Sequence, residues 1–150
     1  MTASTAADTT IRAARPDDHA AVRALLAAAD LPLDGVPDDL AHFLVAERAG
    51  AVVGAIGMEF YDGAGLLRSA VVSPALRGSG LGERLVRHLL DSARAAGTTD
   101  VVLLTTTADR WFPRFGFTRT SRDEVPTPLH ASLEFQGACP ASAVVMRLRM

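Results

Sequence analysis

Three glycines, a serine and an arginine fall within six residues at Arg77-Gly78-Ser79-Gly80-Leu81-Gly82. Glycine lets a backbone take positive φ and approach a ligand with no Cβ in the way. Leu81, Leu85, Val86, Leu89 and Leu90 then repeat at helical spacing, so the turn runs into a helix N-terminus. There the first main-chain N–H groups have no intrahelical acceptor. Together with the positive end of the helix dipole they form a cradle for phosphate oxygens. Arg77 adds a full positive charge beside it. An ordinary strand-turn-helix would use the same glycines only for tightness. Two better-known phosphate loops do not fit. A Rossmann G-x-G-x-x-G needs a glycine where Glu83 stands, and a Walker loop needs a lysine, of which the chain has none. Cys139 is the only cysteine, which excludes an internal disulfide and a thiolate zinc site and leaves it reading as a small buried hydrophobe. His19, His42, His88 and His130 lack metal-ligand spacing, so no metal is expected.

The elements that position this turn follow from periodicity and punctuation. Thr9 to Ala14 reads as a strand. Pro16-Asp17-Asp18 opens a helix that runs to about Ala29, with proline in the first turn and acids at the positive end of the dipole. Residues 30–39, rich in Asp and Pro, read as loop with a short helix from Pro37. Strands are predicted at His42–Arg48, Ala51–Tyr61 and Gly65–Ser73, joined by turns at Ala49-Gly50 and Asp62-Gly63-Ala64-Gly65. Pro74 stops the third. A helix from about Gly80 to Ala96 ends at Gly97, and Asp100–Thr106 reads as a buried strand. Ala108 to Phe115 reads as a short helix closed by Gly116. Phe117–Arg122 is a strand, Pro126 to Gly137 is partly helical, and Ala143–Arg149 is the last strand. This order predicts an α+β fold with helices packed on a sheet.

At 150 residues the chain fits one domain, expected over 9–150, behind a disordered lead-in at 1–8. A formal net charge of −2 argues against a nucleic-acid or anionic-membrane footprint. No apolar run approaches the roughly 18 residues of a membrane span, and the first ten residues lack a signal-peptide pattern. The expected location is the cytoplasm.

The turn resembles the R/Q-x-x-G-x-G/A motif of the GNAT family of N-acetyltransferases. The spacing Val72-x-Pro74-x-x-Arg77-Gly78 resembles it too, and Trp111-Phe112-x-x-x-Gly116-Phe117 is similar to the family's second signature. The resemblance spans about Thr9 to Met150. It implies a mixed, mostly antiparallel sheet of six to seven strands, splayed in the middle, with helices on both faces. It implies acetyl-CoA as cosubstrate and a small-molecule amine as acceptor. Matched residue by residue, the main chain at Val71 and Val72 should hold pantetheine and the thioester. The amides of Arg77, Gly78, Ser79, Gly80, Leu81 and Gly82 should hold the diphosphate. A main-chain N–H at Val71 or Val72 is the expected oxyanion donor.

Acetyl transfer needs a neutral amine, so a base must accept a proton. Glu59, late in its strand, is the candidate base, with Tyr61 on the same face as a proton-transfer or substrate-contact alternative and His42 and His130 behind them. Many members of the family place a tyrosine where this chain has Phe112, as acid to the leaving thiolate. Thr105, Thr106 or Thr107 is the replacement donor expected here, with Thr106 preferred, unless the thiolate leaves unassisted. Trp111 reads as core or cleft wall.

For the acceptor, Leu104-Thr105-Thr106 with the Trp111–Phe117 signature is similar to the acetyltransferase domain of N-acetylglutamate synthases. Pro140 replaces the arginine of their last segment while Ser142 matches its serine. A closer resemblance is to small acetyltransferases named for arsenic resistance, carried by Leu67-Arg68-Ser69, Leu104 to Ala108 and Cys139 to Val144. Those resemblances imply an amino acid or amino-acid-like toxin, with Arg68, Ser69 and Ser142 as carboxylate ligands. The alternatives are acetylation of peptide or protein N-termini and a non-catalytic acyl-CoA sensor. Exposed sheet edges leave room for a homodimer.

Overall fold

The computed structural model describes residues 9–132, 134, 135 and 142–150. The expected lead-in at 1–8 and Cys139 and Pro140 lie outside the described residues. The strands are β1 (Thr10–Ala13), β2 (Phe43–Arg48), β3 (Ala51–Tyr61), β4 (Ala64–Val72), β5 (Asp100–Thr105), β6 (Thr118–Thr120) and β7 (Val144–Arg149). The α-helices are α1 (His19–Ala28) and α2 (Leu81–Ala95), with short 3₁₀ turns between elements. The strands form one open sheet in the order β1-β2-β3-β4-β5-β7-β6. It is mostly antiparallel, with β4 and β5 the parallel pair. By its internal contacts the chain divides into two compact units, Met1–Gly57 with Ser69–Leu90, and Met58–Arg68 with Asp91–Met150.

In the first unit, β1 and β2 pair from Thr10↔Glu47 to Ala13↔Leu44. Ala49 (φ 52°) and Gly50 (φ 81°) both take left-handed conformations, the backbone of a two-residue hairpin turn whose twist matches the flanking strands. Pro16–Asp18 forms a 3₁₀ turn, not the first turn of α1. Pro37 starts no helix, because Leu40 and His42 turn left-handed and the segment resolves into tight turns. α1 ends when Asp30 takes φ 57° and Leu31 N–H donates to Leu26 O at 2.9 Å, with the aspartate where glycine is usual. Val22, Leu26, Val36, Leu40, Phe43, Val45, Ala55 and Val71 make this unit's core. Each fully buried aliphatic side chain contributes roughly 1.5–3 kcal/mol.

In the second unit, Asp62 (φ 47°) and Gly63 (φ 83°) alone make the hairpin turn. Ala64 and Gly65 therefore belong to β4, and Gly65 is required because a Cβ there would sit 2.2 Å from Met58 Sδ. α2 closes with Gly97 at φ 84°, Thr98 N–H on Ala93 O at 3.0 Å and Gly97 N–H on Arg94 O at 3.1 Å. β7 pairs β5 from Asp100↔Arg149 to Thr105↔Val144. The core is Ala64, Leu66, Val102, Val125, Leu129 and Val145. Phe112 is buried against Trp111, Phe115 and Phe117 in edge-on and tilted ring contacts, in a 3₁₀ turn closed by Gly116 at φ 99°.

Candidate active site

The β4–β5 ladder is short. It holds Ala64↔Asp100, Gly65↔Val101 and Leu66↔Val102, and then stops, although β4 runs on to Val72 and β5 to Thr105. Ser69, inside β4, sits at φ 60° and is buried. A left-handed residue in a strand interior kinks it and re-aims the residues beyond, as a bulge does. A non-glycine residue there costs on the order of 1 kcal/mol. Simple alternation therefore does not carry through β4, which the sequence alone presents as an uninterrupted strand. Past the kink, Val71 turns its side chain into the first unit's core. Val72 is half-buried.

After β4 the chain makes a 3₁₀ turn, Pro74–Leu76, and then the glycine-rich turn. Gly78 (φ 82°) and Gly80 (φ 87°) are both left-handed. The amides of Arg77 and Ser79 are used inside the turn, on Pro74 O at 3.3 Å and Leu76 O at 3.2 Å. Ser79 Oγ also donates to Leu76 O at 2.6 Å, and Leu81 N–H reaches that hydroxyl at 3.4 Å. Arg84 N–H donates to Gly80 O, so Gly82 lies ahead of the first helical bond. The amides of Gly78 and Gly80 have no acceptor among the described residues. A Cβ built on either glycine would meet nothing within 4 Å, so the space beside both is open. Of the six residues expected to donate, Gly78, Gly80 and Gly82 thus have amides to offer. Arg77 contributes an exposed guanidinium.

The second unit gathers a set of hydrogen-bonded titratable side chains. Glu59 and Tyr61 project from β3 and meet: the Tyr61 hydroxyl donates to Glu59 Oε1. Arg68 Nη1 donates to Glu59 Oε2 at 2.6 Å, and Arg68 Nη2 lies 3.6 Å from Glu134 Oε2. The Arg68 side chain has 0% exposure and that of Glu134 5%, whereas Glu59 keeps 18%. The solvent-reachable carboxylate is therefore Glu59. Burial, and then the bond to Glu59, push the Tyr61 hydroxyl up to about 12, against a hydrogen bond from Ser132 that acts the other way. Tyr61 thus keeps its proton at neutral pH and serves as a donor. Glu134 N–H donates to Ser132 Oγ at 3.2 Å.

Arg68, expected as a carboxylate ligand, thus faces Glu59 and Glu134. Ser132 and Glu134 escaped the reading of the sequence. Their one signal was an acid flanked in the sequence by Leu133 and Phe135, a position that must be paired if buried. The Thr105 hydroxyl accepts from Ala108 N–H at 2.9 Å and Thr107 N–H at 3.3 Å and caps the turn after β5. Thr106 is exposed one residue beyond β5. Ser142 is exposed two residues before β7, and the register Thr105↔Val144 puts it at the same end of the β5–β7 pair as Thr106. Phe112 has no proton to give. His42 and His130 are exposed, and the His130 ring lies against Phe135. No cluster of three or more metal-ligating side chains occurs among the described residues. No helix among them is long and apolar enough to cross a membrane.

A mixed, mostly antiparallel sheet with one short parallel pair, together with a glycine-rich turn that leaves open amides ahead of α2, defines the α+β fold of this chain. Residues 39–119, more than half of the chain, match the acetyltransferase (GNAT) domain, and the chain belongs to that family. An amino-acid acetyltransferase of Ralstonia nicotianae is 36% identical over 90 residues, which are 59% of this chain and 20% of that protein. N-acetylglutamate synthase of Neisseria gonorrhoeae, solved with coenzyme A and N-acetyl-glutamate, has a TM-score of 0.80 at 25% identity, covering 94% of this chain and 35% of that one. A GNAT family acetyltransferase of Brucella melitensis, in complex with acetyl-CoA, has a TM-score of 0.58 at 29% identity, covering 73% and 82%. The chain spans about a fifth of the length of the amino-acid acetyltransferases it matches.

Proposed function

We propose that this chain is an acetyl-CoA-dependent N-acetyltransferase whose acceptor is the amine of a small molecule, an amino acid or a close analogue. The observation that carries the reading is the pair of open, left-handed glycine amides at Gly78 and Gly80, at the head of α2 in a GNAT chain. Those amides and that of Gly82 hold the diphosphate, with Arg77 adding charge. The pantetheine arm lies along the main chain of β4 at Val71 and Val72.

The acceptor amine arrives mostly protonated at neutral pH. Glu59 takes one proton, directly or through a water. Each of its oxygens accepts one bond in the protein, from Tyr61 or Arg68, and each has a second lone pair for the acceptor. The nitrogen then attacks the thioester carbon, and the oxyanion is met by the main-chain N–H at Val71. As the intermediate collapses the C–N bond stays, the C–S bond breaks, and the nitrogen gives up its second proton to the departing thiolate, leaving a neutral amide and the free thiol. A thiol with an ordinary value of ~8.5 is a fair leaving group unaided, and Thr106 is the proposed hydroxyl to relay a proton to it. Ser142 and Ser69 are the proposed contacts for the acceptor's polar end.

The names of the relatives favour an amino acid. The finer assignment, a toxin-like amino acid of arsenic-resistance type, rests on Leu67-Arg68-Ser69, Leu104 to Ala108 and Cys139 to Val144 alone. Because acetyl-CoA is a cytoplasmic metabolite, we place the reaction there. The test is thiol release from acetyl-CoA with a panel of amino acids, phosphinothricin-like analogues and arsenical amino acids, beside calorimetric titration with CoA. Amine-dependent release supports the reading. CoA binding without release on any amine points to the acyl-CoA sensor, and absence of CoA binding ends both.

A further inference from the structure

The hydrogen bonds around Glu59 close on themselves. Tyr61 donates to one Glu59 oxygen and Arg68 to the other, and the far side of the Arg68 guanidinium faces the Glu134 carboxylate. The main chain of Glu134 donates to Ser132, and Ser132 in turn bonds Tyr61. This ring joins β3, β4 and the segment after the Thr127–Ala131 turn, three stretches far apart in sequence. Its members differ in exposure in a way that assigns roles. Arg68 and Glu134 are shut in, while Glu59 keeps 18% of its side-chain surface. A fully enclosed guanidinium already facing two carboxylates is a poor receptor for a third. The same planar fork is well suited to fixing one carboxylate's direction.

We propose that Arg68 is the positioning residue of Glu59, anchored from behind by Glu134, and is not the ligand of the acceptor's carboxylate. The proposal rests on the acetyl-transfer reading, in which Glu59 takes the amine's proton. With both oxygens held, the free lone pairs of Glu59 point in set directions. Without Arg68 the carboxylate turns about its own χ angles, and a displacement of about 1 Å at a reacting group costs on the order of a hundredfold in rate. Glu134 supports the fork from the other side, so its loss acts on the same step through Arg68.

The test uses the full chain and compares each amino acid that the wild-type protein acetylates with its uncharged carboxamide. For Arg68→Met, kcat should fall on the order of a hundredfold, with acceptor KM and CoA affinity within about threefold; amino acid and carboxamide should lose the same factor. Arg68→Lys should recover part of kcat. Glu134→Gln keeps shape and one acceptor oxygen but removes the charge, so it serves if Arg68→Met fails to fold; it should lower kcat evenly for both acceptors by a smaller factor. A rise in KM of more than tenfold for the amino acid with kcat intact, or a loss confined to carboxylate-bearing acceptors, overturns the proposal and leaves acetyl transfer standing. Absence of wild-type turnover on any amine overturns the acetyl-transfer reading and this proposal with it.

Discussion

Replacing Gly80 with alanine separates two effects that the glycine-rich turn combines. Gly80 sits at φ 87°, and a Cβ there would meet nothing within 4 Å. No clash inside the protein opposes the substitution, so its cost to folding is the left-handed backbone alone, about 1–2 kcal/mol. If alanine relaxes toward negative φ, the peptide plane rotates and the Gly80 amide turns away. If it does not, its methyl occupies the open space beside that amide. Either way one charge-assisted hydrogen bond to a phosphate oxygen is lost, worth about 1.5–3 kcal/mol, or roughly ten- to a hundredfold in Kd. The assay is calorimetric titration with CoA and with pantetheine, which lacks the diphosphate, beside a thermal melt. CoA should weaken by that factor and pantetheine should not. Gly80→Asn should melt above Gly80→Ala, since asparagine tolerates the left-handed region. A folded Gly80→Ala protein that binds CoA like wild type, or one that loses pantetheine equally, would refute the cradle.

Glu59→Gln should lower kcat by about 10²-fold or more while leaving CoA affinity near normal; an unchanged rate in the thiol-release assay removes Glu59 from proton transfer. Gly57→Ala should destabilise the protein by about 1–3 kcal/mol, because a Cβ would lie 2.5 Å from Phe43 ring atoms; a denaturant midpoint equal to wild type would show that Phe43 can move aside. Tyr61 is the chain's single tyrosine, so ultraviolet phenolate absorbance reads it alone. Its transition should centre near 12 instead of 10. Below pH 10 the folded and unfolded chains both hold the phenolic proton and the stabilisation is complete. Between 10 and about 12 only the unfolded chain releases it, so stability falls as pH rises, and Tyr61→Phe should abolish that part of the alkaline loss.

Much of the fold was readable in the chain because the relevant signals are local. Hydrophobic repeat and Gly97 delimit α2, Ala49-Gly50 and Asp62-Gly63 mark tight hairpins, and the near-continuous apolar run of β5 marks a buried strand. Two boundaries were set by local backbone conformation that residue type alone does not show. Ala64 read as turn, yet β4 begins there, because Asp62 and Gly63 complete the hairpin in two residues. Proline at 37 suggested a helix start, but the left-handed residues Leu40 and His42 bring the chain round into β2 instead.

The glycine-rich turn could be named from sequence because its chemistry is main-chain chemistry. Closely spaced glycines ahead of a helical repeat determine where open amides will be, whatever the rest of the molecule does. Which of those amides are free was a tertiary matter: Arg77 and Ser79 spend theirs on Pro74 and Leu76, and only folded geometry shows it. The acid–base group is the opposite case. Glu59, Tyr61 and Arg68 were visible as residue types, but side-chain partnership depends on register, on the kink at Ser69, and on a segment some seventy positions away that delivers Ser132 and Glu134. Spacing along a chain carries no information about such long-range closure, and the burial that turns Arg68 inward exists only once the sheet has formed.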